Sequence, residues 1–210
     1  MTTTASSSAS SGPAGRHFEG QVGAYYLLSM LSNSEPRGLP GTSIYRVERQ
    51  RAAEGRPLDV IIVQANDSLG ESAVLEIQVK RGITFSPGDP VFRKVVYQIA
   101  EASPRNDFGT TRYELAIATA RTSRKIDGAF QDVLTWARQL GNATTFTARI
   151  HRPGSANDDM HMFVETFRTH LHEAGVPNND EAVWQLQRRL QILVFDVTAL
   201  GSASEALDKG

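Results

Sequence analysis

Apolar and polar positions change rhythm along the chain. From about residue 16 to 32 the apolar side chains Phe18, Val22, Tyr25, Tyr26, Leu28 and Met30 or Leu31 recur at helical spacing, which predicts a first helix ended by the Pro- and Gly-containing segment 33–41. The rhythm then shortens to two: Ile44 to Gln50 alternates, Leu58 to Gln64 is a denser apolar run, and Ser72 to Lys80 alternates again. Turn chemistry at Asn66-Asp67-Ser68-Leu69-Gly70 predicts that the second and third strands are antiparallel neighbours.

Helical spacing returns after Asp89-Pro90, an N-cap followed by proline at the first helical position, and runs to about Ala102. Tyr113–Thr119 reads as a buried strand, parallel to the third because a helical crossover separates them. Thr122 or Ser123 opens a helix to about Leu140, while residues 144–150 fit a strand as well as a helix. Beyond the Pro153-Gly154-Ser155-Ala156-Asn157 stretch, the best candidate domain boundary, come two helices, about 159–174 and 180–190, the second with Asp180 as cap. An apolar strand over 191–197 follows. The order α-β-β-β-α-β-α predicts an α/β sandwich with a mixed central sheet flanked by helices over residues 15–152, and a helical extension or linker over 153–210.

The 210 residues, 40% hydrophobic and 21% charged, suffice for one sizeable core. Residues 1–14, almost all Thr, Ser, Ala and Gly, are expected to form a disordered tail. With neither a secretory-type apolar run nor the roughly 18 apolar residues of a membrane span, a cytoplasmic protein is expected. The absence of cysteine excludes disulfides, thiolate metal sites and a cysteine nucleophile. Residues 1–155 carry 18 Lys/Arg against 14 Asp/Glu, a balance of +4, and residues 156–210 carry 4 against 9, a balance of −5. That excess alone is too small to argue nucleic-acid binding. No Walker-type or Gly-x-Ser-x-Gly motif supports an NTPase or serine hydrolase.

The candidate chemistry lies on the third strand, where a period of two puts Glu76, Gln78 and Lys80 on the face opposite Leu75, Ile77 and Val79. A half-solvated strand explains such alternation equally well until Asp59 is considered. This acid stands at the start of an apolar strand, and an antiparallel turn around Asp67 would bring it opposite Glu76 or Gln78. Phosphodiester hydrolysis needs a cation on oxygen ligands and a group that orients water or stabilises charge. Asp59 with Gln78 or Glu76 can supply the ligands and Lys80 the cationic group. Arg46, Arg49, Arg51 and Arg56 near the hairpin entry, and Arg81, Arg93 and Lys94 beside the motif, can neutralise DNA phosphates, although solvated surface charge accounts for each equally well. His17, two residues before Glu19, could approach the site but reads better as a flanking surface histidine; His151, His161, His170 and His172 show no paired ligand spacing, and Trp136 and Trp184 fall on apolar helical faces as core residues would.

Asp59 followed by Glu76-x-Gln78-x-Lys80-Arg81 resembles the core motif of the PD-(D/E)XK nucleases. The Gln-x-Lys form is similar to that of Mrr-like restriction endonucleases and of nuclease domains at the N-termini of bacterial antiphage defence proteins. The first helix, with Phe18-Glu19-Gly20-Gln21-Val22 and Tyr25-Tyr26-Leu27-Leu28, is similar to theirs as well. The resemblance covers roughly residues 16–120. It implies a Mg²⁺- or Mn²⁺-dependent endonuclease acting on double-stranded DNA, with Glu19, Asp59 and Gln78 on the metal side, Asp59, Glu76, Gln78 and Lys80 as catalytic residues, and Gln98 facing the site with Arg81, Arg93 and Lys94 toward DNA. Pro57 is separated from Asp59 by Leu58, and Gln78 stands where an acid is usual. The alternative is an inactive nuclease-like module for nucleic-acid binding or assembly. Fusion to a sensor or NTPase region is a further expectation, because residues 190–202 resemble the linker downstream of such nucleases, and a homo-oligomer is another, because many effectors are switched by bringing copies together.

Overall fold

The computed structural model describes residues 13–50, 60–102, 111–121 and 123–195. Helix α1 (Pro13–Leu31) leads into β1 (Thr42–Gln50), β2 (Val60–Asp67) and β3 (Ser72–Val79). Then follow α2 (Pro90–Ala102), β4 (Arg112–Thr119), a π-helical turn (Ile126–Phe130) running into α3 (Gln131–Gln139), α4 (Ala143–His151), α5 (Asp158–Glu173), α6 (Asp180–Gln187) and β5 (Leu190–Val194). Pro13 and Ala14, read from sequence as part of a tail, begin α1; residues 1–12 lie outside the described part.

The five strands form one mixed sheet in the order β1-β2-β3-β4-β5, antiparallel through β3 and parallel from β3 to β5. Asp67 makes the β2–β3 turn: its Oδ1 accepts from the N–H groups of Leu69 and Glu71 at 2.8 and 2.9 Å. Such an Asx turn substitutes a side-chain oxygen for a backbone one where the ladder ends.

The sheet separates two apolar layers. On one face α1 packs Phe18, Val22 and Tyr26 against Ile61, Val63, Leu75 and Ile77. The 32–41 loop crosses the end of this layer at Gly38, whose φ is +91° and where a Cβ would stand 2.9 Å from Leu75 Cδ2. Glycine is required there on both counts. On the other face α2 and the helices from α3 onward bury Phe92, Val95, Phe130, Phe163, Phe167 and Trp184 against Leu115, Ile117 and Ile192. Trp184 donates its indole N–H to the Ala137 carbonyl at 2.8 Å, which satisfies the polar atom of a core residue.

One alternative left open by the sequence is decided, and two expectations are corrected, for local reasons. Residues 144–150 are helical because Asn142 caps α4, accepting from Thr145 N–H at 2.8 Å. Asn179, not Asp180, caps α6 by accepting from Ala182 N–H at 2.8 Å, while Asp180 takes the Arg168 guanidinium at 2.6 Å. The Pro153–Asn157 stretch joins α4 to α5 inside one core and is no boundary between units: α5 supplies Phe163 and Phe167 to the larger layer, and β5 extends the sheet beside β4. No helix among the described residues is long and apolar enough to cross a membrane.

Candidate functional site

Strand alternation on β3 places Val74, Glu76 and Gln78 toward the larger layer, since their β4 partners are Tyr113, Leu115 and Ile117, all members of that core. Lys80 follows in phase, half-buried, and its N–H donates to the Ala118 carbonyl at 2.8 Å, so the β3–β4 ladder continues one residue past the strand end. Asp59 lies outside the described residues; its chain neighbour Val60 is the Cα partner of Gln78.

The three polar side chains of β3 differ in surroundings. Glu76 is buried, and its Oε2 accepts from the Tyr113 hydroxyl at 2.6 Å. Gln78 is 5% exposed, and its Oε1 accepts no hydrogen bond among the described residues. Gln98, on the α2 side of the same layer, is 6% exposed with its Oε1 in the same condition. A buried amide carbonyl without a donor costs about 1–3 kcal/mol, so a protein keeps such a group only where something else is gained.

The loop from Lys80 to α2 is held at both ends. Asp89 Oδ2 accepts from the N–H and hydroxyl of Thr84 at 2.7 and 2.9 Å, and Oδ1 accepts from the N–H groups of Val91 and Phe92 at 2.8 and 3.3 Å. Burial raises the Asp89 pKa, but those four hydrogen bonds outweigh it and hold the carboxyl below its usual range. Phe85 adopts φ +58°, a conformation unfavourable for a bulky residue, and is kept there by rings of Phe92, Phe130 and Phe163 with centroids 5.1–6.0 Å away.

The remaining candidates are dispersed. Glu19 sits on the α1 face of the sheet, with Oε1 3.4 Å from Arg49 Nη2. Arg46 pairs with Glu48, and Arg51 and Arg56 lie outside the described residues. Arg81 and Lys94 are exposed. Arg93 is engaged with α5: its Nε lies 2.9 Å from Glu173 Oε2, and its guanidinium donates to the Tyr97 hydroxyl at 3.2 and 3.3 Å. The Tyr97 hydrogen bond and the Glu173 charge raise the Arg93 pKa.

From the sequence Tyr113 reads only as a strand residue. Its signal was its phase: in a parallel β3–β4 pair, Tyr113 falls on the Glu76 face. Among the described residues no three His, Asp or Glu side chains form a group able to hold a metal ion. On β3 itself Gln78 offers a side-chain carbonyl and Glu76 a carboxyl, oxygen groups of a type that suits a hard divalent cation.

No protein-family model, no curated protein and no solved structure matches this chain.

Proposed function

We propose that the chain is a metal-dependent endonuclease domain of PD-(D/E)XK type that hydrolyses DNA phosphodiester bonds. One observation carries the reading: Gln78 and Gln98, from β3 and α2, each bring a buried carbonyl oxygen, without a donor among the described residues, to the layer where Glu76 and Lys80 share a strand face. Such acceptors suit a cation or a polar substrate better than they suit a core. The element order α1-β1-β2-β3-α2-β4 supports the same reading.

Gln78 Oε1, with the carboxylate of Asp59 and that of Glu76 or Glu19, would hold Mg²⁺ or Mn²⁺. When bound, such a cation polarises the phosphate and offsets the charge that develops on it. Lys80 would orient the attacking water and stabilise the phosphorane-like charge through its ammonium group. Arg81 and Lys94 would neutralise flanking phosphates.

Lys80→Ala should abolish Mg²⁺-dependent cleavage of double-stranded DNA while circular dichroism and the melting temperature stay unchanged. Cleavage at the wild-type rate would overturn the assignment.

A second reading has its own observation. Glu76 is engaged by Tyr113, and Glu19 lies beside Arg49 on the other sheet face, which suits a nuclease-like module that binds nucleic acid without cutting it. DNA binding in the absence of both Mg²⁺ binding, followed by calorimetric titration, and cleavage would favour the module.

A further inference from the structure

The two edges of the sheet are treated differently. On β5 the carbonyls of Leu190, Ile192 and Val194 point away from β4, and each accepts from a side chain: Arg138 Nη2, Gln131 Nε2 at 2.7 Å and Arg37 Nη1 at 2.8 Å. Three donors, two from α3 and one from the 32–41 loop, close that edge to further pairing. On β1, among the described residues, no side chain or backbone group hydrogen-bonds to the outer edge.

The surface beside the open edge is apolar. No charged residue occurs between Glu19 and Glu35, and α1 leaves Leu27, Leu28 and Leu31 exposed, the last at 78%. Gly20, Gly23, Ala24 and Leu27 of α1, with Val47 and Arg49 of β1, line a groove of about 360 Å³ between helix and strand. Tyr45, at the irregularity between Ile44 and Arg46, is 52% exposed. A nine-residue edge strand whose outer side meets no partner among the described residues, flanked by exposed leucines, is a surface that a lone chain ordinarily protects.

We propose that a second copy of this chain covers it, with β1 pairing antiparallel to the β1 of its partner about a two-fold axis at Val47. Charge selects this occupant and this register. Arg46-Val47-Glu48 is self-complementary about its centre: the axis at Val47 sets Arg46 opposite the partner's Glu48 and Glu48 opposite the partner's Arg46, on the sheet face away from α1. Sliding by two residues sets Arg46 against itself or Glu48 against itself, and sliding by one turns apolar Val47 toward the charged face. Within one chain Arg46 and Glu48 already form an ion pair along the strand, so both heads lie on that face where the second strand would meet them. On the other face Val47 meets the partner's Val47 beside the groove, and the exposed leucines of the two α1 helices gain an apolar neighbour. The sheet would then run through ten strands, closed at both far ends by its β5 caps. This interface stands independently of the phosphodiesterase reading.

Sedimentation equilibrium of the full chain tests it, with Arg46→Glu, Glu48→Arg and the double variant Arg46→Glu/Glu48→Arg alongside. The wild type should be a dimer. Each single reversal sets like charges opposite one another twice and should weaken the dimer about tenfold, whereas the double variant, which exchanges the two charges, should restore it. Arg46 is well exposed and Glu48 partly so, and a melting temperature within the wild-type range verifies folding of each variant. Leu28→Glu, on the exposed face of α1, should weaken the dimer without touching the strand. A wild-type chain that stays monomeric at every concentration overturns the proposal, including the case where this edge takes a peptide from another protein instead. A dimer indifferent to the single reversals, or not rescued by the double one, equally overturns it.

Discussion

The phenol of Tyr113 donates to Oε2 of Glu76 across 2.6 Å in a layer where both side chains are buried. The parallel register sets Tyr113 beside Val74, one strand over and two positions from Glu76, so the bond crosses the ladder diagonally. A carboxyl group in that position is buried at less cost with a donor than without one. Tyr113→Phe removes the donor and keeps the ring. It should lower the unfolding free energy by about 1–3 kcal/mol, read from urea denaturation, while Glu76→Gln in the same background should recover part of the loss because a neutral amide is buried at less cost than a carboxyl that has lost this donor. An unaltered urea midpoint in Tyr113→Phe would show that the bond contributes nothing.

Gln78 and Gln98 should separate stability from function. Each buries an amide oxygen with no donor among the described residues, so Gln78→Leu and Gln98→Leu, close in volume, remove an unsatisfied group. Each should leave the protein as stable as wild type or more stable by about 1 kcal/mol. Metal-dependent cleavage should be lost in Gln78→Leu. Marked destabilisation of both would show the amides to be ordinary structural groups and remove the observation on which the functional proposal rests.

Asp89 predicts a pH dependence. Its carboxyl is held below its ordinary value of 3.8, because four donors prefer the charged form despite the cost of burial. A depressed carboxyl contributes stability that is fully present above the ordinary value and is lost as pH falls through the folded one. Asp89→Asn should therefore flatten the acid limb of stability against pH, and Asp89→Ala, which also removes the α2 cap, should cost about 1–2 kcal/mol at neutral pH. Chemical denaturation at neutral and acid pH measures both; identical acid limbs for wild type and Asp89→Asn would refute the linkage.

Much of the fold was legible because its signals are local. The period of two over 72–80, the turn residues at 66–70 and the Asp89-Pro90 helix start each depend on backbone sterics and hydrogen bonds within a few positions. Where the local signal was double, it failed to choose: residues 144–150 carry β-branched and aromatic side chains, yet one Asn142 hydrogen bond and burial of Phe146 and Ile150 make them helix α4. The stretch at 153–157 has the composition of a linker, but a five-residue surface turn between two helices of one core has that composition as well.

For the site, alternation alone put Glu76, Gln78 and Lys80 on one side of a strand, and the turn at Asp67 alone put the start of β2 opposite Gln78. What covers that side was decided only by the tertiary structure. Glu76 has a phenol 37 positions away as its partner, Glu19 is carried to the opposite sheet face with α1, and Arg93 is drawn to Glu173 on α5. A side chain's face follows from bond geometry that repeats every two or 3.6 residues, whereas its burial and its partner follow from which distant elements pack there, a choice made by the free energy of the whole core.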